Sequence, residues 1–271
     1  MKFKLILLLL MLVIFVGSGC EEDELTIAEV IEGAIQAVDG INATAFEMEM
    51  IQDFNMEGMY SFTTTARATG RAMEDPMMAE YQVEMETAGM RFDMKMYLAD
   101  NLLYIEIPEF GWVWEDITEE VMFAESYEDP FEFIDLLENV NPENVSMEAD
   151  DGYYSLVYED ATGELATLLK ERAEAQLGAE MFGLSEAEEA EIENILSELE
   201  FSELIYKVKI DTQSFLPAES EIAYNLSMEM MGEVLDMRQE INITYVEFDT
   251  FESIEVPDEV INEAIPLSEL F

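Results

Sequence analysis

The sequence contains no histidine, one cysteine, and 11 lysines and arginines against 63 acidic residues. The missing histidine removes Ser-His-Asp and Cys-His nucleophile systems and any imidazole-held zinc or haem. A single cysteine excludes an internal disulfide framework and CxxC redox or metal motifs. The shortage of basic residues leaves a formal charge of -52. Such a charge repels phosphate backbones and sets nucleic-acid binding aside. No DxDxDG loop with an acidic twelfth position occurs, so no EF-hand is present and no metal is expected. Carboxylates are so abundant that the spacing of any two carries no glycosidase signature. No nucleophile–base constellation remains. The chain is therefore expected not to be an enzyme and to need no cofactor.

What is present begins with the N-terminus. Lys2 and Lys4 precede an unbroken apolar run from Leu5 to Val16. Gly17-Ser18-Gly19-Cys20 follows, and then the acidic Glu21-Glu22-Asp23-Glu24. The run is too short for a spanning helix, which needs ~20 apolar residues. It fits a secretory signal core of ~7–15 residues followed by small residues. The sole cysteine stands where a lipoprotein signal places its lipidated residue. We expect a signal peptide over residues 1–19, a lipid anchor at Cys20 with a tether over 20–26, and a single domain over 27–271. That places the protein outside the cytoplasm, held by lipidated Cys20 to the outer face of the cell membrane. The competing reading is an ordinary cleaved signal in which Cys20 is incidental.

Half of the residues are apolar, enough to build a core despite the charge. Thr26 with Glu29 forms a capping box ahead of Ile27, Val30, Ile31, Ala34, Ile35 and Val38 at helical spacing, closed by Asp39-Gly40. The period then becomes two. Phe46, Met48 and Met50 alternate with Glu47 and Glu49. Tyr81, Val83 and Met85 alternate with Gln82, Glu84 and Glu86. Met90 to Leu98 alternates likewise, and strands follow at 102–107 and 111–114. Residues 116–142 read as mostly helical. Asp151-Gly152 predicts a tight hairpin between 145–150 and 153–159. Residues 162–199 read as two helices, with Ser185 and Glu188 capping the second. Long strands at 204–211, 218–230 and 235–248 precede a short helix at 258–264.

The expected fold class is α+β. It has one large curved antiparallel sheet of roughly eleven strands, since a sheet that wide curls. Helices are expected over its concave face, the only elements available to cover it.

At this level the chain resembles the LolA/LppX superfamily of extracytoplasmic lipoproteins. The resemblance rests on Gly17 to Cys20, the helix Val30 to Val38 and the long strands after it. It also rests on Asp75-Pro76-Met77, Leu103-Tyr104, Gly111-Trp112 and the closing Ile254-Glu255-Val256-Pro257. Gly17 departs from the leucine usual three residues before the lipidated cysteine. The resemblance implies a half-closed β-barrel whose cavity holds acyl chains of lipids or lipoproteins.

Methionine, at 20 residues, is the informative internal feature, because it adapts to varied apolar partners. A ligand cavity is expected from Phe46, Met48, Met50, Tyr81, Val83, Met85, Phe92, Met94, Met96, Tyr224, Leu226 and Met228. Ordinary core filling is the competing reading. Trp112 and Trp114 share a strand face, where packing is favoured over gripping a headgroup. Asn42, Asn144, Asn225 and Asn242 each open an Asn-x-Ser/Thr sequon. The expected protein is a monomeric, membrane-anchored carrier of an apolar ligand such as a lipid. The alternative is a non-enzymatic envelope protein that binds a protein partner. The acidity fits a surface adapted to high salt.

Overall fold

The computed structural model describes residues 25–56, 60–108, 110–117, 131, 134, 137, 140–160, 163–176, 199–230 and 233–270. The expected signal, Cys20, most of the expected helical region 116–142 and the expected helix opening at Ser185 lie outside them.

Helix α1 (Ile27–Val38) begins as its caps dictate. Thr26 Oγ1 accepts from the Glu29 backbone N–H, and the Glu29 carboxylate accepts from the Thr26 N–H at 2.8 Å. Strands β1 (Ala43–Met56), β2 (Tyr60–Met73), β3 (Met78–Thr87), β4 (Met90–Ala99), β5 (Leu102–Ile107) and β6 (Gly111–Asp116) follow. Strands β7 (Val145–Asp150) and β8 (Tyr153–Glu159) form the expected hairpin. Its turn residues Asp151 and Gly152 both have positive φ, as a mirror-image two-residue turn requires. Helix α2 (Glu164–Gln176) leads on to β9 (Glu200–Asp211), β10 (Pro217–Met230) and β11 (Glu233–Phe248). Helix α3 (Asp258–Glu263) and the two-residue β12 (Ile265–Pro266) close the described chain.

Among the described residues all strands join one open 12-stranded sheet in the order β12-β6-β5-β4-β3-β2-β1-β11-β10-β9-β8-β7. Neighbours pair antiparallel except β12, which runs parallel to β6. The architecture is an α+β half-barrel, with one more strand than the roughly eleven read from the sequence. β2 shows no alternation of large apolar residues, so periodicity passes over it. Its inward residues are Ala66, Ala68, Gly70 and Ala72, alternating with Thr65, Arg67, Thr69 and Arg71.

The inner face is covered from one side by α1. Val30, Ile31 and Ala34 pack with Leu156, Tyr158, Tyr206, Val208, Ile210 and Ile222, and Leu165 of α2 joins the same core. Phe215, in the β9–β10 turn, lies so close to Gly33 that a Cβ there would stand 2.6 Å from its ring. Helix α3 departs from the expectation that helices cover the concave face, because it takes the opposite face. Val260 packs with Tyr97 and Tyr104, against Trp112 and Trp114. The chain reaches that face through a strap after β11. Ile254 packs with Ala43 and Met73, and the Arg71 guanidinium sits 4.2 Å from the centre of the Phe251 ring. The strap lies on the outer face because Tyr97 and Met73 alternate away from the inward Met96 and Ala72.

Candidate functional site

Register turns the inner face into successive rows that run across the strands. Tyr245, Phe46, Gly70, Tyr81 and Met96 form one row. Ile243, Met48, Ala68, Val83 and Met94 form the next. Ile241, Met50, Ala66, Met85 and Phe92 form a third. In each row a small β2 residue sits between large ones on β1 and β3. A Cβ on Gly70 would stand 2.5 Å from the Phe46 ring and 2.9 Å from Tyr81. The small residues thus make room for rings and thioethers to lean over β2, and Phe46 and Tyr81 meet at a centroid distance of 6.1 Å.

A fourth row changes chemistry. Tyr224, Gln239, Gln52, Thr64 and Thr87 are directly opposite one another across β10, β11, β1, β2 and β3. The Gln52 amide donates to the Gln239 carbonyl oxygen at 2.7 Å, and the Thr64 and Thr87 hydroxyls meet at 2.8 Å. Burial alone pushes the Tyr224 hydroxyl up to about 12. A fifth row is apolar again: Phe201, Leu226, Met237, Phe54 and Phe62. Phe54 and Phe62 stack with centroids 4.8 Å apart.

The twelve residues expected to line a cavity all lie on this inner face, but their surroundings differ. Tyr81 and Met96 are buried in the core of β2 to β5, with Val83 and Met94 against it. Phe46 and Met48 pack with Val38, Phe131, Ile134 and Tyr245, and Tyr224 packs against the α1 core. Met50, Met85, Leu226 and Met228 are half-buried, and Phe92 is exposed. Of these residues only Met94 lines either of two clefts. One, of about 360 Å³, opens where β4 and β5 part, beside Gln82, Lys95 and Glu106. The other, of about 250 Å³, crosses β8 to β11 beside the Lys207–Glu221 and Lys209–Glu219 ion pairs.

Periodicity misses the polar row. Its available signal is Gln52, a polar residue at an inward position of the alternation Phe46, Met48, Met50, Gln52, Phe54. The two tryptophans belong to the packing under α3, and Trp112 meets Tyr97 at 5.6 Å between centroids. All four sequon amides are engaged. Asn42 donates to the Asp75 carbonyl and accepts from the Asp75 N–H. Asn144, Asn225 and Asn242 donate to Glu164, Glu203 and Glu240. Among the described residues no helix is long and apolar enough to cross a membrane, and no group of three or more acidic, histidine or cysteine side chains could hold a metal ion.

A family model described as "Family of unknown function (DUF6612)" matches residues 26–265, and the chain belongs to that family. No curated protein matches. Among solved structures, the chain is similar to a DUF1329 family protein from Desulfovibrio piger. That match has 10% identity, 84% of this chain and 95% of that one covered, and a TM-score of 0.27. It is similar to a LolA superfamily protein, NE2245, from Nitrosomonas europaea. Here identity is 10%, coverage 87% and 97%, and the TM-score 0.26. It is also similar to a β-barrel-like protein of domain DUF1849 from Brucella abortus. Here identity is 7%, coverage 77% and 100%, and the TM-score 0.23. Overlaps of that size transfer no function, so the function of this chain is read from its own residues.

Proposed function

We propose that this member of the DUF6612 family is an extracytoplasmic lipoprotein, anchored through Cys20, that binds an apolar ligand such as a lipid acyl chain on its inner sheet face. One observation carries the reading. Beyond the part packed under α1, the same face continues as half-buried apolar rows, with Met50 and Met85 flanking Ala66 on one side of the polar row and Leu226, Met237, Phe54 and Phe62 on the other. Methionine and phenylalanine surfaces of this kind adapt to flexible chains. Native mass spectrometry of protein purified from its own membrane tests the idea. Co-purified lipid is expected, together with a delipidated form that takes up a fluorescent fatty-acid probe. Failure to bind any acyl probe rejects it. Cys20→Ser is expected to release the protein from the membrane fraction, and an unchanged distribution rejects the anchor.

A second reading is favoured by the rim of the same face. Tyr60 is 52% exposed and Met90 57% exposed, where a protein partner could seat. A stable protein complex with no bound lipid supports that reading over the first.

A further inference from the structure

We propose that Tyr224, Gln239 and Gln52 recognise the uncharged polar group of an amphiphile, a neutral ester- or amide-linked acyl lipid, whose chain lies along the adjoining row of Leu226, Met237 and Phe54. The proposal deepens the acyl-ligand reading and depends on it.

Unspent hydrogen-bonding capacity supports it. Gln239 is 8% exposed. One bond joins its carboxamide to that of Gln52. Whichever amide donates, one NH₂ and one C=O remain without a partner among the described residues. The Tyr224 hydroxyl has none there either, and its ring packs at 5.5 Å from Phe201 between centroids. Gln239 is buried and Gln52 and Tyr224 are half-buried; a polar group is expensive to bury unpaired, and such groups on an inner face call for a partner that brings its own donors and acceptors. The three positions are direct neighbours on β10, β11 and β1. At about 4.8 Å between strands they span roughly 10 Å, the reach of a glycerol backbone with its ester carbonyls.

Charge selects the class. Alternation puts every lysine and arginine of the strands on the outer face. Arg67 pairs there with Glu49, Arg91 with Glu84, Lys207 with Glu221 and Lys209 with Glu219. Arg238 stands opposite Asp53, and Lys95 opposite the outward Gln82. No cation of the sheet can reach an anionic headgroup at the row. The molecule's own charge of -52 repels one further. The glutamine amides and a neutral tyrosine hydroxyl match carbonyls and hydroxyls instead.

Displacement of a fluorescent hydrocarbon-chain probe from the delipidated full-length protein tests this. The competitors are dioleoylglycerol, oleate and dioleoylphosphatidylglycerol. We expect dioleoylglycerol to compete at least ~10-fold better than either anion, roughly the worth of one or two hydrogen bonds. In Gln52→Leu/Gln239→Leu that preference, referred to the variant's own affinity for the probe, falls to near parity. Tyr224→Phe, which keeps the ring, weakens dioleoylglycerol selectively. Tighter binding of the anions, or a preference unchanged in both variants, overturns the proposal and leaves the acyl reading standing. A wild-type protein that binds no probe overturns both.

Discussion

Gln52 and Gln239 are 187 positions apart in the chain, yet their side chains meet at 2.7 Å in the middle of the sheet. The contact exists because β1 and β11 are neighbours, so the first and last long strands lie at the centre. Its polarity interrupts a face that is apolar in the rows on either side.

Gln52→Leu alone should destabilise the protein by about 1–3 kcal/mol, because the Gln239 amide loses its partner while still buried. Adding Gln239→Leu should recover most of that loss, since both polar groups are then gone. Denaturant midpoints of the two single variants and the double variant check the coupling. Strictly additive losses contradict it.

Gly70→Ala should cost about 1–3 kcal/mol by forcing the Phe46 and Tyr81 rings from their places. Phe46→Leu in that background should recover part of the loss. Thermal unfolding of the three variants decides the matter. A Gly70→Ala protein as stable as wild type would show that the rings move freely.

Tyr224 should ionise near pH 12, above the ordinary value of 10.0. Its folded-state value is raised, so its contribution is fully present below pH 10 and is lost as pH climbs from 10 towards 12. Tyrosinate absorbance of wild type against Tyr224→Phe resolves the late-titrating group. Stability measured across the same window should fall less steeply in Tyr224→Phe.

Carboxylates outnumber cations 63 to 11, and the ion pairs of the sheet are solvent-exposed. Self-repulsion therefore has little to offset it except dissolved salt. Tm should rise by several degrees from millimolar to molar NaCl, as the screening length shrinks to ~3 Å. A flat salt series contradicts adaptation to salt.

Much of the fold is legible because local rules agree with it. The Thr26–Glu29 box starts α1, Asp151-Gly152 turns the β7–β8 hairpin, and the alternations from Met90 and from Ala218 continue through whole strands. β2 is illegible to the same rule because its inward side chains are small. Their size makes sense only beside Phe46 and Tyr81, which lie on other strands. Gln52 reads as the end of an apolar pattern until Gln239, Thr64 and Tyr224 stand beside it. Trp112 and Trp114 have their face assigned by α3, which arrives from 144 residues further along or more.

By itself the sequence determined what is local or additive. Missing histidine and scarce cysteine limit the chemistry, and alternating charge settles which side of each strand meets water. Periodicity settles most of the strands, because side chains on a strand repeat every two residues whatever the strand pairs with. Tertiary structure decided what depends on long-range register. It placed β1 against β11, aligned the four methionine and aromatic rows around one polar row, and sent the C-terminal strap to the outer face. A row across a sheet joins residues far apart in the chain. Which residues share it follows from pairing partners, and no window along the chain contains them.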